Sequence, residues 1–172
     1  MKRIAVDMDG VLADVYAQFF KLHERDTGEI KTLEDVSGKL EFEAFELGKQ
    51  HVLSDGFFLE APVMGDSQAI LAMLNKHYEI FIVSSATEFP KSLLEKQDWL
   101  NLHFPFISWE QMVFCGKKTI IHADIMIDDH FKNLNHFSGN TTLLFSQPHN
   151  ELQDTEKHIR VNSWKDIALQ LL

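Results

Sequence analysis

The stretch Ile4-Ala5-Val6-Asp7-Met8-Asp9-Gly10-Val11-Leu12-Ala13-Asp14 decides how the rest of this chain is read. Ile4-Ala5-Val6 is short, apolar and β-prone, and carboxylates follow at once. That pattern predicts a buried strand ending near Asp7. Gly10 lets the chain turn sharply, so that backbone N–H groups can point at an anion. Asp14 is placed to cap a helix carrying Val15, Phe19, Phe20 and Leu22, which Thr27-Gly28 stops.

The character changes over residues 29–65. Thr32-Leu-Glu-Asp35 resembles a capping box, Glu41 to Val52 reads as one helix, and Gly56-Phe57-Phe58-Leu59 reads as a turn followed by exposed aromatics. No strand is evident there, so the segment reads as a small helical insertion.

Beyond it, helix and strand alternate. Asp66 can cap a helix with Ala69, Ile70, Met73 and Leu74 on one face, and Glu79 to Ser84 is a buried strand. Pro90 suits the first turn of a helix running to about Leu102. Met112–Phe114, Ile125–Ile127 and Thr141–Phe145 are further strands, giving five in all. Residues 146–158 are polar and read as loop. Ser163 can cap a last helix with Trp164, Ile167, Ala168 and Leu171. Strands alternating with helices predict an α/β fold, a doubly wound parallel sheet with a small helical insertion. Residues 1–14 and 65–172 are expected to form the core and residues 15–64 the insertion. In such sheets ligands bind beyond the carboxyl ends of the strands, and that is where Asp7, Asp9, Ser84, Ser85, Asp128 and Asp129 fall.

Composition narrows the function. At 172 residues, 45% hydrophobic and 24% charged, the chain matches one globular domain and excludes a disordered one. A net charge of −10 argues against a nucleic-acid polymer or an anionic membrane as partner, though not against a small anion held locally. The single cysteine, Cys115, excludes an intramolecular disulfide, and the nine histidines have no zinc spacing. Three apolar residues ahead of Asp7 do not make a signal peptide, and no stretch approaches the roughly 18 apolar residues of a membrane span. A cytoplasmic location is the expectation.

Asp7, Asp9, Asp128 and Asp129 at strand ends are costly together unless a positive group sits among them. Oxygen donors without cysteine or clustered histidine point to a hard divalent cation, Mg²⁺, shared with a substrate phosphate. A carboxylate beside Mg²⁺ suits phosphoryl transfer: one aspartate attacks phosphorus, and a second protonates the leaving alkoxide and later deprotonates water. Ser84 offers a hydroxyl and Lys118 an ammonium to the transferred group, with Lys117 as the neighbouring alternative.

These residues carry a resemblance. Asp7-Met-Asp9-Gly10-Val11, Ser84 after a hydrophobic strand, Lys118, and Asp128-Asp129 after another strand resemble the four ordered motifs of the haloacid dehalogenase superfamily. The fuller strings Asp7 to Asp14, Phe-Ile-Val-Ser84-Ser85, and Lys118 to Asp129 are similar to its 5'(3')-deoxyribonucleotidases. The resemblance implies Asp7 as nucleophile and metal ligand, and Asp9 as acid/base that binds Mg²⁺ through its carbonyl. It implies Ser84 and Lys118 as phosphate holders, with Ser85 adding a contact. Asp128 becomes the third protein ligand, and Asp129 orients Lys118 or a metal-bound water. Lys118, ten residues before Asp128, fits the family spacing better than Lys117. An acid at position 9 favours a phosphatase over a dehalogenase.

The substrate implied is a deoxyribonucleoside monophosphate, under a helical cap that opens and closes. Phe57, Phe58 and Tyr16 are the candidate base contacts. The family carries an aromatic directly after the Asp14 string, where this chain has Val15. A sugar phosphate or phosphoglycolate is the alternative substrate, and a phosphoacceptor signalling domain the remote one. Asp14 is expected to act as a helix cap and His130 as a partly exposed histidine. The aromatic helices of the insertion could also serve a homodimer.

Overall fold

The computed structural model describes residues 1–172. Its six strands are β1 (Arg3–Val6), β2 (Glu79–Ser84), β3 (Met112–Phe114), β4 (Ile125–Asp128), β5 (Thr141–Phe145) and β6 (Ile159–Val161). They form one sheet in the order β3-β2-β1-β4-β5-β6, with every neighbouring pair parallel. The expected α/β doubly wound sheet is therefore present. β1 lies between β2 and β4, where the direction of winding reverses, and the carboxyl ends of those strands open onto the crevice in which such sheets bind ligands.

Side chains alternate across the sheet and divide the core unevenly. Ile4, Val6, Ile80, Ile82, Ile125, Ile127, Leu143 and Phe145 join a cluster of 33 buried residues, whereas Ala5, Val83, Met126 and Leu144 face a cluster of six. The larger face is covered by α1 (Val15–Thr27), α5 (Ser67–Leu74), α6 (Ser92–His103) and α8 (Trp164–Leu171). The smaller is covered by α7 (Phe131–Leu134), through Leu134, and by Phe137. At ~1.5–3 kcal/mol for each fully buried large apolar side chain, the first face supplies most of the hydrophobic driving force.

Between β1 and α5 run α1, α2 (Leu33–Val36), α3 (Glu41–Ala44) and α4 (Gly48–Leu53), with no strand among them. The chain enters and leaves this helical segment along adjacent paths. Asp14 N–H donates to Pro62 C=O and Met64 N–H to Leu12 C=O, both at 2.7 Å. Two fully buried tryptophans hold those paths: Trp99 donates its indole N–H to Ala61 C=O and Trp164 donates to Val11 C=O, each at 2.8 Å. An unpaired buried indole would cost ~1–3 kcal/mol, so each bond fixes a linker as well as a ring.

Several expectations need correction. β6 is a sixth strand, missed because Ile159-Arg160-Val161 is short and carries a charge at its centre. Glu41–Val52 is two helices rather than one. Phe45 is extended and wholly buried, stacked on Phe19 with ring centroids 5.1 Å apart. Phe57 and Phe58 are buried, not exposed. Asp66 stands at the start of α5 with φ 63° and makes no capping bond. Pro90 lies just outside α6, which begins at Ser92. No helix is long and apolar enough to cross a membrane.

Candidate active site

β1 and β4 run side by side in parallel and deliver their terminal acids to one point. Asp7 follows β1, and Asp128 ends β4. Between them lies Lys118, on a short turn spanning Lys118–Ile120, with its Nζ 2.6 Å from Asp7 Oδ1 and 2.7 Å from Asp128 Oδ2. All three side chains are buried. Lys117 is exposed to solvent, so the structure distinguishes the two lysines. Asp128 Oδ1 also accepts from His130 N–H and Asn133 Nδ2, each at 2.9 Å.

The electrostatics follow from this crowding. Burial, reinforced by Asp128, pushes the Asp7 carboxyl well above its usual range. Burial raises Asp128 too, but Lys118 outweighs it and holds the group below its usual range. Burial alone would lower Lys118; Asp128 and Asp7 overcome it and keep the ammonium protonated. Asp129, buried beside them, is pushed up by desolvation. Asp7, Asp128 and Asp129 have ligand oxygens within 4.8 Å of one another, and Oδ1 of Asp129 is buried without a partner. Three hard oxygen donors carrying excess negative charge fit a divalent cation such as Mg²⁺.

The turn after β1 is tight. Met8 C=O accepts from Leu12 N–H at 2.8 Å and Ala13 N–H at 2.9 Å, and Gly10 has φ 74°. A Cβ on Gly10 would collide with the Asp129 carboxylate, so glycine is required both for backbone conformation and for space. Asp14 caps α1 through Oδ1, which accepts from Ala17 N–H at 2.9 Å, as expected.

Lys96 is the residue that sequence reasoning missed. Its side chain is only 2% exposed, yet its Nζ reaches Asp9 Oδ2 at 2.5 Å and Ser84 Oγ at 3.0 Å. It also lies 4.4 Å from the Phe58 ring centroid. Its signal was positional: Ser92, Lys96, Trp99 and Leu100 form the buried stripe of α6, so a lysine stands at a core position. Buried lysines need partners, and the acid at position 9 is the one at hand. One residue earlier, Glu95 accepts from Gly56 N–H at 2.7 Å and Phe58 N–H at 3.1 Å, which pins the aromatic turn against α6.

Above the acids is a cavity of about 170 Å³. Asp7, Asp9, Ser85, Lys96, Lys118 and Asp129 line its polar end, and Phe19, Phe57, Phe58 and Phe89 line its walls together with Val15. Ser84 lies behind this wall, fully buried and held by Lys96; Ser85 is the serine that lines the cavity. Tyr16 does not line it. The Tyr16 ring packs by Phe19 and Phe45, and its hydroxyl lies 3.2 Å from His149 Nδ1. Asp129 does not contact Lys118 as expected; its Oδ2 faces His149 Nε2 at 3.9 Å and His130 Nε2 at 4.0 Å. Glu41, at the start of α3, meets the same histidines at 3.4 and 3.5 Å. Burial opposes the Glu41 charge, but His130 and His149 bring its pKa down to about 2, and Asp129 and Glu41 raise His130 to about 9 against its own desolvation.

Comparison with known proteins gives the family. The family described as 5' nucleotidase, deoxy (pyrimidine), cytosolic type C protein matches residues 1–172. The 5'(3')-deoxyribonucleotidases of Bacillus subtilis strain 168 and of Bacillus phage SPbeta are each 37% identical over 182 aligned positions, covering 99% of this chain and 99% of theirs. Among solved structures, a haloacid dehalogenase-like hydrolase from Streptococcus pneumoniae superposes with a TM-score of 0.66 at 14% identity, covering 100% of this chain and 99% of that one. A magnesium-bound hydrolase of the same fold from Bacillus subtilis gives 0.59 at 14% identity, covering 99% and 98%. The chain belongs to the deoxyribonucleotidase family of 5'-nucleotidases, phosphoric monoester hydrolases built on the haloacid dehalogenase fold.

Proposed function

We propose that the protein hydrolyses deoxyribonucleoside monophosphates with Mg²⁺ through a phosphorylated Asp7, and that residues 15–64 form the cap over the site. The observation that carries this reading is the cavity itself. Its polar end gathers Asp7, Asp9 and Lys118 beside Ser85, and its walls are phenylalanines. A phosphate fits the first and an aromatic base the second.

Asp7, Asp128 and Asp129 would hold Mg²⁺, together with the Asp9 carbonyl that the family resemblance implies. When bound, the cation neutralises charge on the phosphoryl oxygens. Asp7 attacks phosphorus with a carboxylate oxygen, forming the aspartyl phosphate as the ester oxygen departs. Asp9 gives that oxygen its proton, so the nucleoside leaves as an alcohol. Asp9 then takes a proton from the incoming water, whose oxygen attacks phosphorus and restores the Asp7 carboxylate. Lys96 holds Asp9 Oδ2, while the other oxygen, Oδ1, is buried and without a partner. Lys118 tethers Asp7 in a fixed rotamer, which limits the reorganisation that attack requires.

The test is phosphate release with and without Mg²⁺ from dUMP, dTMP, dGMP, their ribo and 3' counterparts, phosphoglycolate and sugar phosphates, with Asp7→Asn as the blank. Mg²⁺-dependent preference for deoxyribonucleotides is expected. Activity confined to non-nucleotide esters would discard the substrate and keep the chemistry. No release from any ester by folded protein would discard both.

A further inference from the structure

The segment joining β5 to β6 is polar in sequence, yet three of its polar side chains are buried: Gln147, His149 and Asn150 are 8%, 3% and 0% exposed. Each buried group is directed at the backbone of a loop that bears catalytic acids. Gln147 Nε2 donates to Gly10 C=O at 2.5 Å. His149 Nε2–H donates to Asp129 C=O at 2.9 Å, since a carbonyl only accepts, and its Nδ1 lies 3.2 Å from the Tyr16 hydroxyl. Asn150 Nδ2 donates to Asp129 C=O and Phe145 C=O, both at 2.8 Å. Asn150 is itself oriented by Arg160 Nη1, which donates to its Oδ1 at 3.0 Å.

The segment thus ties the loop after β1 to the loop after β4. It does so where Gly10 leaves no room for a Cβ beside the Asp129 carboxylate. We infer that Gln147, supported by His149 and Asn150, is a positioning residue that sets the separation of the two acid-bearing loops and thereby the affinity for the divalent cation. Gln147 never meets substrate. It acts on the Gly10 carbonyl, one peptide from Asp9 and three residues from Asp7. Groups that orient metal ligands from behind typically contribute 10–100-fold in metal affinity.

This inference rests on the Mg²⁺ reading above, and binding measurements separate the two. Gln147→Met keeps the length and bulk of the side chain and removes its donor. Mg²⁺ binding is followed by calorimetry, with Mn²⁺ by paramagnetic resonance and the Mg²⁺-induced rise in Tm as parallel readouts. The expected result is a Kd for Mg²⁺ about tenfold weaker than wild type, a correspondingly smaller Mg²⁺-induced shift, and a metal-free Tm close to wild type. A Mg²⁺ Kd within twofold of wild type overturns the inference, whatever happens to Tm, because a merely structural residue lowers stability alone. Gln147→Asn, one methylene too short to reach Gly10, serves the same test should the Met variant fold poorly. Wild type that binds no Mg²⁺ overturns the metal reading as well. Weakened binding in an enzyme inactive on nucleotides supports the inference and removes only the proposed substrate.

Discussion

Replacing Lys96 by Met removes one buried charge while leaving the bulk of the side chain in place. The losses are a charge-assisted bond to Asp9 worth ~1.5–3 kcal/mol, a bond to the Ser84 hydroxyl worth ~0.5–1.5, and a cation–π contact with Phe58 worth ~0.5–2. Against them stands the desolvation of a buried ammonium, several kcal/mol, which the apolar side chain no longer incurs. Asp9 is 33% exposed on its side chain and regains water when its partner goes, so the stranded-charge penalty is smaller than for a fully buried pair. Stability is therefore expected to move by no more than ~2 kcal/mol. Activity is expected to fall much further, because a general acid contributes 10²–10⁴-fold only when aimed. A drop in kcat/KM on dUMP on the order of 10²-fold, or ~2.7 kcal/mol, is expected. Steady-state phosphate release measures it. If Lys96 acts through Asp9, the Lys96→Met/Asp9→Asn double variant is no worse than Asp9→Asn. Folded Lys96→Met within threefold of wild type, or additive losses in the double variant, would refute the reasoning.

Three further outcomes are expected. Gly10→Ala forces a left-handed alanine, ~1–2 kcal/mol, and drives a methyl group into Asp129; thermal melting should show a clear loss of Tm and phosphate release should collapse. Glu95→Ala frees the Gly56–Leu59 backbone that positions Phe58, so KM for dUMP should rise about tenfold while that for a small non-aromatic phosphoester stays nearly unchanged. The third concerns pH. Glu41 is lowered from 4.5 to about 2, so its contribution is present above 4.5 and is lost as pH falls toward 2; His130 is raised from 6.5 to about 9, so its contribution is complete below 6.5 and is lost as pH rises through 9. Tm against pH should therefore decline on the alkaline side of 6.5, and Glu41→Gln should flatten that decline; an unchanged alkaline slope in the variant would be evidence against the ion pair.

What was legible in the sequence was local. A strand running into Asp7-Met-Asp9-Gly10 announces itself within a few residues, because burial, turn and charge change over that distance. Asp128 was placed at its strand end the same way, whereas Ser84, also at a strand end, lies behind the cavity wall that Ser85 lines. Lys96 was not found, because its partners lie 87 and 12 residues away and only its place in the buried stripe of α6 marked it as a core position. Phe57 and Phe58 follow a glycine turn and so read as exposed; Glu95, nearly forty residues on, turns that backbone inward. The break between α3 and α4 has a similar origin. Phe45 leaves the helical path to stack on Phe19 of α1, a tertiary preference that local helix propensity does not reveal. The buried Gln147-Pro148-His149-Asn150 segment reads as solvated loop because polarity alone does not say which backbone it will satisfy.

The central place of β1 also has a consequence for how the molecule is made. β1 is synthesised before either of its neighbours; it pairs on one side with β2 and on the other with β4, whose register partners for Ile4–Val6 are Ile125–Ile127. At synthesis rates of about 5–20 residues per second, several seconds to half a minute pass before both flanks of β1 exist. Until then its edge is open, and the turn bearing Asp7 has neither Asp128 nor Lys118 to hold it. A nascent chain ending before β4 is thus a fragment with half a sheet and no working site, vulnerable to aggregation through the open edge of β1. Asp7, Lys118 and Asp128 come together only once the sheet is closed on both sides of β1.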